Sequence, residues 1–437
     1  MIQGASDVRS SAFRQVRTAA VAACVLRLAF VLLYPQFGSC PDCEVYDRLA
    51  LNLASGRGLV GGTSDDPVFA EIENGATAPE VGFGPVYPAF LATIYSTVGH
   101  RIGAVRIAQA LLGAVTVPLA WRIAAVAFGN PVGIVCAWLV ALSPPLVMYT
   151  GLVLTENLTV VWLLFCTWLF MRALQRGTTL SYLLSGGTLG VLILLREEMI
   201  LLLPAFAALA WWNGRPHPAW SSIAAFVLAT CVSVGAWTVR NYIVFHQPIL
   251  ASAHGGEQLW LSAKGWSEWH FDDPGLRQLA TGRSYVERNA AMQREGWRLI
   301  MSSPGQYLIF CFERVPMLWL SSHTTYIRGL TESFGAYYER GAFLRLVIKA
   351  ALFGVQLALQ LLALLGAFAA ARAARASVAV WLLAAPIVTI TVVHFFLFAT
   401  PRYQVPVLPF VLAFSALAAT QAWDRLGVKR LTRGHAG

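Results

Sequence analysis

About ten stretches of this chain are apolar over close to the 20 residues that an α-helix needs to cross a bilayer. Their approximate centres are residues 26, 115, 140, 164, 187, 205, 230, 358, 388 and 412. Only 12% of the 437 residues are charged, about half the share in an ordinary soluble domain. We therefore predict an all-α polytopic membrane protein with about ten transmembrane helices and with interfacial helices in two long loops.

Basic residues indicate how these helices are oriented. The formal net charge is +10, and a cytoplasmic N-terminus would put most arginines of the short loops in the cytoplasm. This predicts a cytoplasmic tail over 1–17, a transmembrane domain over 18–423 and a basic cytoplasmic tail over 424–437. Extracytoplasmic loops would cover about 35–102 and 240–340. The first apolar stretch could be a signal peptide, but no small-residue cleavage site precedes Tyr34, so we interpret it as an anchor.

Composition also bounds the partners and the compartment. An Arg- and Ala-rich chain favours a bacterial source, and we expect the bacterial cytoplasmic (inner) membrane, with the polar site facing the periplasm or exterior. A positive charge excess in a membrane protein belongs to its cytoplasmic loops, and no nucleic-acid module is present. The expected partners are therefore the lipid bilayer and its components.

The stretch from Cys40 to Gly58 predicts a short helix lying at the membrane surface. Pro41 suits the first helical position and Gly56 suits the end. One face is formed by residues at helical spacing, which are Asp42, Tyr46, Leu49 and Leu53. This places a carboxylate, that of Asp42, at the leading tip of the helix.

Cys40 and Cys43 flank that carboxylate in a C-x-x-C arrangement. In an oxidising periplasm the two thiols could close a disulfide. A lone cysteine pair is weak support for a zinc site, and no thioredoxin-like pattern surrounds it.

Ionisable side chains from several helices share the outer membrane depth. They are Asp42, Glu44, Glu156, Arg196, Glu197, Glu198, Arg240, His394 and Arg402. Charged groups at this depth are costly and tend to be functional, so we predict an outward-facing polar site; the alternative is a set of solvated helix ends.

This combination of groups suits glycosyl transfer from a lipid-phosphate sugar. A carboxylate can take a proton from a hydroxyl, and arginines can bind a leaving phosphate, whereas a glycosidase typically uses two facing carboxylates.

The second long loop is rich in tryptophan, at Trp260, Trp266, Trp269, Trp297 and Trp319. Tryptophan prefers the membrane interface. These rings are therefore either interfacial anchors or surfaces on which a sugar stacks.

In its motifs the chain resembles the GT-C superfamily of membrane glycosyltransferases, in the branch of protein O-mannosyltransferases and lipid A aminoarabinose transferase. The motifs that carry the resemblance are Asp42-Cys43-Glu44-Val45-Tyr46 with Leu49-Ala50 and Asn52-Leu53, Gly84-Pro85-Val86-Tyr87-Pro88-Ala89-Phe90-Leu91-Ala92, Pro144-Pro145 with Tyr149 and Thr155-Glu156-Asn157, Trp237-Thr238-Val239-Arg240-Asn241-Tyr242, and Pro401-Arg402-Tyr403-Gln404-Val405-Pro406-Val407-Leu408-Pro409. The chain departs from the family pattern at Phe83-Gly84, at Cys43 and at Arg196-Glu197-Glu198. These departures leave the identity of the donor open more than the type of reaction.

The resemblance implies roles for individual residues. Asp42 would be the catalytic base and Glu156 the second acidic residue of the site. Arg240 and Arg402, with Arg196, would bind the phosphate of a polyprenyl-phosphate donor. We expect further substrate contacts from Glu44, Tyr46, Tyr87, Tyr403 and His394. Some relatives bind a divalent metal near the site, for which His254 and Glu80 are weak candidates.

The sequence thus predicts an inverting glycosyltransferase. It would move a sugar from a polyprenyl-phosphate donor to a hydroxyl of an envelope glycan, lipid or protein on the extracytoplasmic face. One alternative is a lipid or solute transporter or flippase, which would place ionisable residues near mid-membrane and often has repeated halves. A second alternative is a non-catalytic scaffold of an envelope complex.

Overall fold

The computed structural model describes residues 2–35, 40–61, 79–213, 220–266, 273–281, 283–327, 329–373 and 377–426. Within these ranges the regular structure is helical, apart from one isolated β-bridge between Val60 and Pro79. This confirms the predicted all-α class. Trp269 and most of the predicted basic tail lie outside the described residues.

The α-helices are numbered here in chain order. They are α1 (Ile2–Leu33), α2 (Pro41–Ala54), α3 (Val86–Val98), α4 (Ile102–Phe128), α5 (Asn130–Leu142), α6 (Pro144–Met148), α7 (Thr155–Arg176), α8 (Thr179–Leu195), α9 (Leu202–Asn213), α10 (Trp220–Phe245), α11 (Gly255–Ala263), α12 (Pro274–Ala280), α13 (Tyr285–Ser302), α14 (Pro304–Trp319), α15 (Phe334–Glu339), α16 (Phe343–Ala373), α17 (Val378–Phe396) and α18 (Leu408–Arg425). Short 3₁₀ segments cover Tyr149–Gly151, Glu197–Leu201, His323–Tyr326 and Pro401–Val407.

Seven of the described helices are long and apolar enough to cross a membrane. They lie at Ser10–Leu33, Ile102–Phe128, Thr155–Arg176, Trp220–Phe245, Phe343–Arg372, Val378–Phe396 and Pro401–Arg425. An eighth crossing would be the pair Asn130–Leu142 and Pro144–Gly151, which is bent by 49°. The other two predicted centres, 187 and 205, fall in the shorter helices α8 and α9. The protein is therefore a multi-pass membrane protein, as predicted.

The spanning helices pack closely where glycines remove a side chain. A Cβ on Gly186 of α8 would collide with the carbonyl oxygen of Phe226 in α10, and a Cβ on Gly366 of α16 would collide with that of Phe414 in α18. Small residues allow such close approach of helices inside a bilayer, where hydrophobic burial does not drive association.

The first predicted boundary is not visible as a break in the fold. Helix α1 runs without interruption from Ile2 to Leu33, through the expected junction between residues 17 and 18. The two long loops do carry short helices, as predicted: α2 and α3 in the first, and α11 to α15 in the second.

Candidate active site

Helix α2 forms where its sequence predicts it. Pro41 is at the first helical position, the Sγ of Cys40 accepts a hydrogen bond from the backbone N–H of Cys43, and the positive φ of Gly56 (75°) follows the end of the helix. Asp42 is in the first turn, where a carboxylate is favoured by the helix dipole. Cys40 and Cys43 form a disulfide, so a covalent bridge closes around the residue that carries this carboxylate.

Asp42 contacts Arg402, which is 360 residues away in the chain. The Nη2 of Arg402 donates to the Oδ2 of Asp42 at 2.5 Å, and its Nε lies 3.6 Å from the Oε1 of Glu156. The 3₁₀ segment before α18 supplies Arg402, and the first turn of α7 supplies Glu156. The two carboxylates are therefore bridged by one guanidinium.

Arg196 extends this chain of charges from the other side of Glu156. Its Nη1 donates to the Oε1 of Glu156 at 3.3 Å, and its Nε donates to the Oε1 of Glu198 at 2.5 Å. We call these five residues, Asp42, Glu156, Arg196, Glu198 and Arg402, the ionic cluster. Its formal charge is −1, from three carboxylates and two guanidinium groups.

Burial differs sharply within the ionic cluster. The side chain of Glu156 is 1% exposed and that of Arg196 is 9% exposed, whereas that of Asp42 is 31% exposed. The Oε2 of Glu156 has no hydrogen-bond partner among the described residues. Glu156 is therefore the buried hub of the cluster, and Asp42 is the member that faces the accessible space.

The surroundings shift the pKa values of these groups. Burial acts to raise the pKa of the Asp42 carboxyl, but the charge and hydrogen bond of Arg402, helped by His254 and Arg196, outweigh it and lower that pKa. Burial likewise opposes ionisation of Glu198, but the charge of Arg196 lowers its pKa. Burial would lower the pKa of Arg196, but Glu198 and Glu156 raise it above its ordinary value. The cluster thus favours its charged form.

Aromatic rings form one wall of the ionic cluster. The guanidinium carbons of Arg196 and Arg402 each lie 5.2 Å from the ring centroid of Tyr403, and the ring of His394 stacks on Tyr403 at 4.3 Å. The Nδ1 of His394 is 2.7 Å from the carbonyl oxygen of Phe398, which fixes the tautomer with its proton on Nδ1. Tyr403 is thus placed to hold both arginines by cation–π contact.

Tyr46 and Tyr87 meet beneath α2. Their ring centroids are 4.9 Å apart, edge to face, and Tyr46 also contacts Phe83 at 5.0 Å. The hydroxyl of Tyr87 donates to Gln109 at 2.8 Å, and Tyr87 is buried. Tyr46 lines the accessible cavity, whereas Tyr87 supports it from behind.

Two predicted substrate contacts lie away from the ionic cluster. Glu44 is exposed on the opposite side of α2, since two residues correspond to about 200° around a helix. The Nη1 of Arg240 donates to the backbone carbonyl of Glu80 at 2.9 Å, and its guanidinium lies over the ring of Trp237 at 4.7 Å. Arg240 therefore fixes the turn before α3 rather than reaching the cluster.

The two candidate metal ligands share one cavity wall. The Oε1 of Glu80 accepts hydrogen bonds from the backbone N–H groups of Val81, Gly82 and Phe83. The Nδ1 of His254 contacts the hydroxyl of Tyr285. Nowhere in the described ranges do three or more His, Cys, Asp or Glu side chains group as metal ligands would. The described residues therefore place no third ligand beside Glu80 and His254, and the reaction proposed below uses no metal.

A cavity of about 1850 Å³ joins these groups. Its charged lining, called here the charged floor, includes Asp42, Arg196, Glu198 and Arg402. Its lining also contains many apolar side chains, among them Leu194, Ile200, Leu201, Val244, Leu250, Met317, Leu320, Phe334, Phe353 and Leu397. The cavity suits amphiphilic ligands whose polar parts meet at the charged floor.

The sequence placed Glu197 and Glu198 in the polar site without assigning their contacts, and it did not place Lys349 there. Glu198 pairs with Arg196, and the Oε2 of Glu197 accepts from the hydroxyl of Ser252 at 2.7 Å. Lys349 of α16 also lines the cavity. A lysine within an apolar run was the signal that could have identified Lys349 from the sequence.

The comparisons with known proteins agree with the motifs. Residues 82–237 match the family described as dolichyl-phosphate-mannose-protein mannosyltransferase. No curated protein matches the chain. The family match covers α3 to α10 up to Trp237, and so includes Glu156, Arg196 and Glu198 of the ionic cluster.

Solved structures share the fold at low sequence identity. The apo oligosaccharyltransferase of Archaeoglobus fulgidus matches at a TM-score of 0.58 and 15% identity, covering 97% of this chain and 52% of that one. The same archaeal enzyme, AglB, in complex with an inhibitory peptide and a dolichol-phosphate, matches at 0.57 and 14% identity, with coverage of 97% and 52%. ArnT of Cupriavidus metallidurans bound to undecaprenyl phosphate matches at only 0.39 and 12% identity, covering 93% of this chain and 77% of that one.

The chain thus spans about half the length of the archaeal oligosaccharyltransferase. The similarity covers nearly all of this chain, so the fold is shared from α1 to α18. The predicted fold is therefore confirmed, and the protein is a multi-pass membrane protein that shares the fold of this oligosaccharyltransferase.

Proposed function

We propose that the protein is an inverting glycosyltransferase that uses a polyprenyl-phosphate sugar. Its acceptor would be a hydroxyl of an envelope glycan, lipid or protein on the extracytoplasmic face of a bacterial cytoplasmic membrane. The observation that carries the proposal is the contact of Asp42 with Arg402 at the floor of an amphiphile-sized cavity. The shared fold with an enzyme seen in complex with a dolichol-phosphate supports a lipid-phosphate donor.

In the proposed reaction the acceptor oxygen attacks the anomeric carbon of the donor sugar. A bond forms between that oxygen and carbon, and the bond from the carbon to the phosphate oxygen breaks. The hydroxyl proton passes to the carboxylate of Asp42, and the polyprenyl phosphate leaves with the electron pair of the broken bond. Attack from the side opposite the phosphate inverts the configuration at the carbon.

Arg402 and Arg196 would stabilise the charge that builds on the leaving phosphate. Guanidinium groups stay ionised when partly buried and match the geometry of phosphate oxygens. The ring of Tyr403 and the buried carboxylate of Glu156 hold both arginines in place, so the arginines need little reorganisation during the reaction. Glu156 acts in this scheme as a positioning residue.

The ion pair also links donor binding to the strength of the base. Arg402 holds the pKa of Asp42 low, and a carboxylate with a low pKa is a weak base. A donor phosphate that shares Arg402 would weaken the pairing with Asp42 and raise the pKa of that carboxyl. Asp42 would then be a stronger base when the donor is bound.

The test is sugar transfer by membranes or purified protein supplied with a panel of polyprenyl-phosphate sugars and an envelope extract. Asp42→Asn should lower transfer by at least about 100-fold, since positioned general bases contribute that much or more. Asp47→Asn is the matched control, because Asp47 lies on the same helix but contacts His100 at 2.9 Å and Tyr95. It should keep transfer within a few-fold of wild type.

Full transfer by folded Asp42→Asn protein would remove Asp42 from the role of base. If no donor supports transfer and the protein moves polyprenyl phosphate from one leaflet of a vesicle to the other, the protein is a flippase rather than a glycosyltransferase. The panel also names the donor sugar, which the sequence and the fold leave open.

A further inference from the structure

Lys349 places a positive charge in the cavity outside the ionic cluster. It lies in α16, within the candidate span Phe343–Arg372, and is only 6% exposed. Its side chain nevertheless lines the same cavity as Asp42 and Arg402. An ionisable side chain that is buried within a candidate span is costly and points to a function.

The ammonium group of Lys349 is held by neutral groups. Its Nζ donates to the backbone carbonyls of Leu330 at 3.1 Å and Glu332 at 2.5 Å. The rings of Phe334 and Tyr337 have their centroids 5.3 Å and 5.9 Å from it. Across the residues that the structure describes, no carboxylate forms an ion pair with it, and the carboxylate of Glu332 pairs with Arg340 instead.

This arrangement leaves a net positive charge in a buried place. Buried charges are normally paired, because their desolvation is repaid only by an opposite charge. Two carbonyls take two of the three N–H donors of a lysine, and they neutralise none of its charge. The lysine therefore has the properties of one half of an ion pair whose other half is a ligand.

The cavity wall around Lys349 indicates the kind of ligand. Phe334, whose ring faces the ammonium group, packs against Phe353 at 5.8 Å, and Ser333, the residue before it, also lines the cavity. An anionic head with an attached apolar chain would match these groups. In the proposed reaction the donor phosphate is assigned to Arg402 and Arg196, so a second anion in the cavity would belong to the acceptor.

We propose that Lys349 binds an anionic group, a phosphate or a carboxylate, carried by an amphiphilic acceptor. The assignment to the acceptor rests on the proposed glycosyltransferase function, whereas the binding of an anionic amphiphile does not. The acceptor would then be a charged envelope lipid, and recognition of its charge would be separate from the chemistry at Asp42.

The experiment measures binding to the purified full-length protein in neutral detergent. The probes are a diacyl glycolipid with one phosphate, the same glycolipid without it, and undecaprenyl phosphate. Lys349→Met should weaken binding of the phosphorylated glycolipid by about tenfold or more, as expected for a lost charge-assisted contact. Binding of the dephosphorylated glycolipid and of undecaprenyl phosphate should change little, and Lys349→Arg should retain most of the affinity.

Tyr337→Phe is the control for a purely structural lysine. The hydroxyl of Tyr337 donates to the carbonyl of Gly329 at 2.9 Å and accepts from the N–H of Glu332 at 3.3 Å. It therefore holds the same loop as Lys349 without contributing charge. Equal losses in Tyr337→Phe and Lys349→Met would assign Lys349 to loop stability and overturn the proposal.

Two other results would also overturn it. If Lys349→Met weakens the binding of the phosphorylated and dephosphorylated glycolipids equally, Lys349 does not recognise the charge of the phosphate. Weakening for undecaprenyl phosphate alone would assign the anion to the donor carrier. Because binding is measured without turnover, failure of sugar transfer leaves this test intact, and the two proposals can fail separately.

Discussion

The ionic cluster and Lys349 line one cavity but differ in the partners of their charged groups. In the cluster every charge meets an opposite one, with Arg402 between Asp42 and Glu156 and with Arg196 between Glu156 and Glu198. Lys349 meets only carbonyl oxygens and aromatic rings. Charges of both signs that are in contact can exchange partners during a reaction, whereas a single buried charge needs a partner that stays.

This difference predicts separate kinetic effects. Changes in the ionic cluster should act on the rate of turnover, because in the proposed reaction its charges would respond to the transition state. Changes at Lys349 should act on binding, because its charge would be paired equally in the ground state and the transition state. Each of the following measurements tests that separation.

Arg402→Gln is expected to have the largest effect. It leaves Asp42 and the buried carboxylate of Glu156 without their shared partner, so turnover should fall by about 10²- to 10³-fold. Loss of one partner of a buried ion pair should also destabilise the fold by about 3–5 kcal/mol. Turnover is measured with the donor identified by the panel, and stability by thermal unfolding in detergent.

Arg314→Gln is the control for that experiment. Arg314 is more deeply buried than Arg402, and it donates to the carbonyls of Phe395, at 3.2 Å, and Ser262 rather than to a carboxylate. It should cost stability without a matching loss of turnover in the protein that remains folded. If both variants lose turnover only in proportion to folded protein, the cluster has no special part in the reaction.

Glu156→Gln should have an intermediate effect. The amide keeps the size of the side chain but removes the charge that holds Arg196 and Arg402. Each arginine retains one carboxylate partner, so we expect turnover to fall by about 10- to 100-fold, the cost of a hydrogen bond to a charged group. A raised KM with unchanged turnover would place Glu156 with the binding residues and weaken the comparison.

The pH dependence of turnover should show the smallest effect. The pKa of Asp42 is lowered by Arg402, so its carboxylate stays ionised to a lower pH than an ordinary aspartate. The rate with saturating donor and acceptor should therefore fall only at the acidic end of the profile, and donor binding should move this fall toward higher pH than in the free enzyme. Burial raises the pKa values of Glu80 and Glu197, so a fall in kcat/KM well above the ordinary range of glutamate would point to them instead.

Much of the site could be predicted because the hydropathy pattern fixes membrane depth. Asp42, Glu156, Arg196 and Arg402 all follow or precede apolar runs at the same predicted face, and the structure brings them into contact. Depth alone does not fix rotation about a helix. Arg240 is at the expected depth but points to the carbonyl of Glu80, which no pattern of apolar residues could indicate.

Other features depend on contacts that are distant in sequence. The pairing of Arg196 with Glu198 is local, yet its importance follows from Glu156, 40 residues earlier. Lys349 was predicted only as part of an apolar run, because its partners Leu330 and Glu332 belong to an irregular segment. The assignment of His254 and Glu80 as metal ligands stays a prediction for which the described residues offer no third ligand.

The contacts within the ionic cluster also constrain how often the chain crosses the bilayer. Two residues in contact at a membrane surface must be separated by an even number of crossings. Glu156 begins α7, which is a candidate span, and Arg196 follows α8. If α7 crosses, α8 must cross as well, although it has only 17 residues. The contact between Glu197 and Ser252 likewise requires α9 to cross if α10, which is a candidate span, crosses.

With its preceding 3₁₀ segment, α9 reaches about 28 Å, close to the thickness of a hydrocarbon core. Because Asp42 and Arg402 are also in contact, the number of crossings between these two residues must be even as well. If the bent pair α5 and α6 crosses once, the total is ten crossings, with both ends of the described chain on the side opposite the cavity. Insertion of one further spanning segment anywhere between Asp42 and Arg402 would put these two residues on opposite surfaces.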